Sequence, residues 1–174
     1  MRSILRRAGW LFLALLFVVT GLGVGVVAFW QATHEDNSQT TPPPPPPANK
    51  NELKGKKLDN FTPVGSVPNL EKIDLTTGNG DEVKSGSKVT VNYTGAVAST
   101  GVIFESSLDS GQPATFSLDQ VIKGWQEGIP GMKVGGKRRL LIPAAMAYGA
   151  NPPQGSGIPA NADLVFDVSL ISVQ

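Results

Sequence analysis

In LVFDVSL, residues 164–170, Leu164, Phe166, Val168 and Leu170 recur at every second position, so they share one face of an extended chain. A period of two cannot sit still as a helix; it requires a sheet with one face turned to a core. The same alternation groups Val89, Val91 and Tyr93 in KVTVNY, and Leu140 and Ile142 in RRLLIP. Shorter candidates are KIDLTT with Ile73 and Leu75, VIFES around Phe104, and ATFSL around Phe116. Glycine-bearing turns such as TGNGD, STG and VGGK separate the pieces. Together they describe an antiparallel sheet of about five strands, interrupted once.

The interruption has a different period. Leu118, Val121, Ile122 and Trp125 follow the i, i+3, i+4, i+7 spacing of one helical face, with Asp119, Lys123, Gln126 and Glu127 elsewhere. Ser117 and Gln120 have capping-box spacing, and Gly128 followed by Pro130 marks an end. One short amphipathic helix against one antiparallel sheet makes an α+β domain. Gly124 costs that helix about 1 kcal/mol relative to alanine, so packing must favour glycine there.

The N-terminal third is of another kind. Residues 10–30, WLFLALLFVVTGLGVGVVAFW, carry no charge over a length that matches the ~20 residues a helix needs to cross a bilayer. Trp10 and Trp30 bracket the run, and Arg2, Arg6 and Arg7 precede it, which sets residues 1–9 in the cytoplasm and the rest outside. The alternative is a cleaved signal peptide ending VVA at Ala28, which would release a secreted protein. Residues 31–63 read as a polar, proline-rich linker, expected to be disordered. Its prolines at 42–47 make a semi-rigid spacer of about 19 Å, or a ligand for an SH3-like or WW-like domain. The folded domain is then expected over 64–174.

Several chemistries are excluded. The chain has no cysteine and one histidine, His34, which lies outside the domain, so neither a hydrolytic triad nor an ordinary zinc site can form there. A net charge of +1, with three cations in the first seven residues, argues against a nucleic-acid partner. GMKVGGKRR lacks phosphate-loop spacing and runs into a strand. An enzyme built on this domain needs a reaction without proton shuttling or a nucleophile. What remains is a set of aromatics, Tyr93, Phe104, Phe116, Trp125, Tyr148 and Phe166, which serve equally as core or as a pocket lining. Tyr148 opens a long loop, AYGANPPQGSGIPANADL, of the kind that presents binding residues.

Taken in order and spacing, VTVNYTG, IFESS, QVIKGWQEGIPGMKVGGKRRLLIP, AYGA and LVFDVSL resemble the FKBP-type peptidyl-prolyl cis-trans isomerases, the macrolide-binding rotamases. The resemblance spans about residues 64–174. It implies an antiparallel sheet wrapped around one short helix, with an aromatic pocket between them, and no cofactor. It also implies that Trp125 floors the pocket, that Tyr93, Phe104, Phe116, Val121, Ile122, Ile158 and Phe166 wall it, and that Tyr148 and Glu105 are its polar members. By the same resemblance the Tyr148 hydroxyl donates to a bound ligand and the Ile122 N–H receives a substrate carbonyl. The last role places the helix start near Ile122 rather than Leu118. The implied partners are proline-containing unfolded or peptide substrates and macrolide inhibitors; the resemblance does not cover residues 10–30, whose apolar run is expected to attach a monomer to the cell membrane. A peptide-binding chaperone without turnover is the alternative function. The chain departs from the family pattern in having Glu105 where aspartate is common, Ala114 and Met146 where aromatics are frequent, and Ala160 where a second proline is usual.

Overall fold

The computed structural model describes residues 52–174. The apolar run at 10–30, the prolines at 42–47 and His34 lie outside the described residues. Among the described residues no helix is long and apolar enough to cross a membrane.

Six strands build the sheet: β1 Glu71–Thr76, β2 Lys88–Val97, β3 Ile103–Ser106, β4 Ala114–Ser117, β5 Lys137–Ile142 and β6 Leu164–Val173. Each stretch marked by alternation or by flanking turns is a strand, which makes the count six rather than about five. All pairings are antiparallel, in the order β1-β5-β6-β2-β3. Because β6 pairs with β2 from Val89 to Val97, β4 and β3 share the opposite edge, β4 along Lys88–Val91 and β3 along Thr94–Ala96. The register sets Leu140 against Phe166, Ile142 against Leu164 and Val89 against Phe116, all in the larger core with Trp125.

Two helices lie in the connections. α1, Ser107–Ser110, is a single turn whose start is capped by Ser106 Oγ, accepting the Leu108 N–H at 3.3 Å. α2, Lys123–Gly128, is the helix the sequence announces, but it is shorter than the apolar spacing suggests. Leu118–Gln120 forms a separate 3-10 turn, Ser117 makes no side-chain cap, and Val121 is extended at φ −107° and ψ 175°. Two backbone groups of this stretch are used elsewhere. The Leu118 N–H donates to Ser87 O at 3.1 Å, and Val121 O accepts from Gln126 Nε2 at 2.8 Å. Four side chains can thus reach one core without a continuous helix beneath them.

Glycine lets α2 settle on β5. A Cβ on Gly124 would stand 2.6 Å from Ile142 Cδ1, and one on Gly128 would stand 2.8 Å from Leu140 Cδ1. Ile142 and Leu140 are fully buried, so neither can retreat without loss of packing. That contact outweighs the helix-propensity penalty noted for Gly124.

The chain before 64 belongs to the fold, which corrects the boundary expected there. Leu58 and Val67 are buried, and Leu53, Phe61 and Val64 pack with them on Ala96, Ala98, Ile103, Leu141 and Val165, the side of the sheet away from α2. The strands read as half-buried are therefore covered on both faces over β5 and β6. Charges on that face are paired. Arg139 Nε and Nη2 donate to Asp167 Oδ1 and Oδ2 at 2.6 and 2.9 Å, and the same guanidinium donates to the carbonyls of Asn60 and Asp59 at 2.6 and 3.1 Å.

Candidate active site

The front core ends in a nest of rings. Trp125, presented by α2 and only 4% exposed, meets Tyr93 of β2, Phe116 of β4 and Phe166 of β6, each with ring centroids 5.5 Å away and planes nearly perpendicular. Tyr93 contacts Phe116 and Phe104 contacts Phe166 in the same edge-to-face manner, at 5.8 and 5.7 Å. Such pairs put the positive edge of one ring on the negative face of another, and they hold the walls in fixed orientations. The neighbour that permits this is Gly95 of β2. A Cβ there would lie 2.6 Å from both Phe104 Cζ and Phe166 Cε1, so any side chain would displace the two rings. The β2–β3 ladder shifts register between Gly95 and Ala96, beside the strand carrying Phe104 and Glu105.

Val121, Ile122, Tyr148 and Ile158 complete the set. Ile158 is buried with the rings, while Val121, Ile122 and Tyr148 are half-buried against them. All ten residues singled out in the sequence thus converge, with Glu105 the exposed member at the edge. Ile122 has φ −60° and ψ 150° and stands immediately before α2, as the family pattern rather than the apolar spacing implied. Its carbonyl accepts the N–H groups of Trp125 and Gln126, but its own N–H finds no acceptor among the described residues. The Trp125 indole N–H is also buried, with no acceptor among the described residues. Leaving such a donor unsatisfied costs about 1–3 kcal/mol, and sites that receive a ligand or water tolerate it.

Phe104, Glu105, Tyr148 and Ile158 line a cleft of about 310 Å³ together with Lys54 and Pro153–Ser156. A slightly larger cleft, about 350 Å³, opens on the other face between residues 53–59 and the sheet. Of the aromatic set it includes only Tyr93, and its lining mixes lysines and aspartates, whereas the smaller cleft includes Phe104 and Tyr148.

Both phenols are held above their usual range. Burial, and then the charge of the Glu105 carboxylate, push the Tyr148 hydroxyl above the usual phenol range. The same two causes raise Tyr93 further. Each remains a hydrogen-bond donor at neutral pH.

The loop that carries Tyr148 is tied down by a residue the sequence did not flag. Asp163 Oδ1 accepts the Ala144 N–H and Oδ2 the Val67 N–H, both at 2.8 Å. Gly149, at φ 55°, returns its N–H to Ala144 O at 2.9 Å, and its carbonyl accepts the Asn161 N–H at 2.7 Å. Ser156 Oγ donates to Pro153 O at 2.7 Å and accepts the Ile158 N–H at 3.2 Å. A lone aspartate in NADL gives no sequence signal of this role.

Residues 80–171 match the FKBP-type peptidyl-prolyl cis-trans isomerase family. The chain is 50% identical over 112 residues to a probable FK506-binding protein of Corynebacterium glutamicum, covering 63% of this chain and 92% of that protein. It is 51% identical over 102 residues to an FK506-binding protein of Neisseria meningitidis serogroup B, covering 58% and 92%. Among solved structures, FkpA from Escherichia coli is similar with a TM-score of 0.56 and 42% identity, over 60% of this chain and 48% of that one. AtFKBP13 is similar with a TM-score of 0.55 and 36% identity, over 63% and 96%. The ring nest, the uncovered N–H before α2 and these matches lead to one conclusion: the chain belongs to the FKBP-type peptidyl-prolyl cis-trans isomerases.

Proposed function

We propose that this isomerase accelerates rotation about X-Pro bonds in exported or extracytoplasmic proteins, taking the prolyl segment between Trp125 and the rings of Tyr93, Phe104, Phe116 and Phe166. The observation that carries the reading is the convergence of those rings on Trp125, beside two protonated phenols and an unused backbone N–H.

The barrier to peptide rotation, about 18–20 kcal/mol, comes from amide resonance, and uncatalysed X-Pro exchange takes tens of seconds or more. Resonance separates charge across the planar amide, and twisting removes that separation. An apolar pocket therefore disfavours the planar ground state more than the twisted transition state. The Ile122 N–H fixes the chain by receiving a substrate carbonyl while the prolyl side turns. Tyr148 donates to a second carbonyl, and Glu105 stands beside it. Val121 and Ile158 close the sides of the ring's slot. A thousandfold acceleration requires only about 4 kcal/mol of differential stabilisation. Macrolides of the FK506 class, named for the relatives, occupy the same slot.

The full chain is expected to accelerate proline-limited refolding of a test protein, and saturating macrolide is expected to abolish the acceleration. Saturable binding of unfolded chains with no change in rate would replace this reading with a peptide-binding chaperone. The apolar run at 10–30 and its preceding arginines support an enzyme held at the cell membrane with its domain outside. Protease added to intact cells should then release the domain by cutting between residues 31 and 51; complete protection would reject that topology.

A further inference from the structure

We infer that Lys54 sets substrate specificity at the isomerase site, favouring chains with an acidic side chain next to the proline. The inference rests on the isomerase reading and adds to it a residue outside the matched span of 80–171. Lys54 sits on a strap that runs along the outer edge of β3. The Gly55 N–H donates to Ile103 O at 2.8 Å, the Ile103 N–H donates to Lys56 O at 2.9 Å, and Lys57 bridges to Val102. Asp109 of α1 holds the strap from its other end. Its two carboxylate oxygens accept the Leu53 and Lys54 N–H groups at 2.7 and 3.2 Å. The backbone at residue 54 is therefore fixed by both β3 and α1, and Lys54 is one of the residues that line the cleft of Phe104, Glu105 and Tyr148.

The charge it delivers is unspent. Among the described residues no carboxylate comes within 4.0 Å of the Lys54 ammonium. Glu105, the carboxylate of the same cleft, acts on the phenols of Tyr93 and Tyr148. An unpaired cation at the rim of a partly enclosed cleft attracts a substrate carboxylate and repels a substrate ammonium. Since water still reaches it, one charge moves the Glu-to-Lys ratio of kcat/KM by about two- to threefold.

The test measures kcat/KM of the full chain on peptides with Glu, Leu or Lys immediately before the proline, and on a second series with the same residues immediately after it. Lys54→Glu is expected to lower the Glu-to-Lys ratio by roughly three- to tenfold in at least one series. Lys54→Arg should keep the wild-type ratio, and the shift should shrink at high salt. Ratios that do not move in either series would overturn the inference, and so would a shift that salt leaves untouched. The Leu peptides separate the two readings. Wild-type chain inactive on them would remove the isomerase reading itself, whereas activity with unmoved ratios removes only the role of Lys54.

Discussion

Phe166→Ala is expected to lower kcat/KM on prolyl peptides by about ten- to a hundredfold while the chain remains folded. The side chain is 4% exposed, and among the described residues it is the one ring that meets both Trp125 and Phe104. Its loss removes about 1.5–3 kcal/mol of apolar contact from whatever fills the pocket, which sets the tenfold to hundredfold range. It also leaves a cavity in the front core, at a cost to stability of about 3–5 kcal/mol. Activity must therefore be read at a temperature where circular dichroism shows the variant native. Phe166→Leu retains most of the volume and should lose less activity than the alanine variant. Equal activities of wild type and Phe166→Ala, with both folded, would mean that the ring nest is core and that catalysis occurs elsewhere.

The front of the molecule was legible in the sequence for a physical reason. Strands that bury one face against a helix must alternate, and Val89, Val91 and Tyr93 in β2, like Leu164, Phe166, Val168 and Leu170 in β6, do so. The aromatic residues could be assigned to that face, but alternation alone left them divided between core and site. Strand order decides this, because the β4-β2-β6 neighbourhood brings Phe116, Tyr93 and Phe166 around one indole. The extent of α2 was less legible. Apolar residues at helical spacing need only arrive at one core, and an extended Val121 delivers them as well as a helix does.

The back of the sheet was hidden for a different reason. LDNFTPVGSVPNL has no period, and its Leu58, Phe61, Val64 and Val67 stand apart among prolines, glycine and asparagine. Irregular chain that packs by single anchors looks like linker when read by periodicity. A signal was nonetheless present in β5 and β6. Arg139, Leu141, Val165 and Asp167 occupy the alternate positions, and two of them are apolar. A second face carrying Leu141 and Val165 needs a cover, and a charged pair on that face becomes worth forming only beneath one.

That pair carries the second large effect. Arg139→Leu is expected to destabilise the domain by about 3–5 kcal/mol, because Asp167 would remain buried with its bidentate partner gone. Lys137, whose ammonium stands 3.6 Å from Asp167 and is itself half exposed, can replace only part of the lost interaction. The carbonyls of Asp59 and Asn60 would also lose their donors, and the ring of Phe61 would lose the guanidinium 5.4 Å from its centroid. Arg139→Leu with Asp167→Leu should be less damaging than Arg139→Leu alone, since no unpaired charge is left behind. Denaturant titration decides between these outcomes, through a lowered midpoint at an unchanged slope. A single variant within about 1 kcal/mol of wild type would show that the pair is not closed off from water. Amide exchange adds a spatial prediction. Both variants should expose the N–H groups of Gly55, Leu58 and Val64 sooner than those of β2 and β6, because the guanidinium fastens the 59–61 turn while Asp163 and Asp109 fasten only the flanks. The ion pair would then stand as the clasp that keeps residues 53–61 on the sheet, and with them the strap that carries Lys54 to the prolyl cleft.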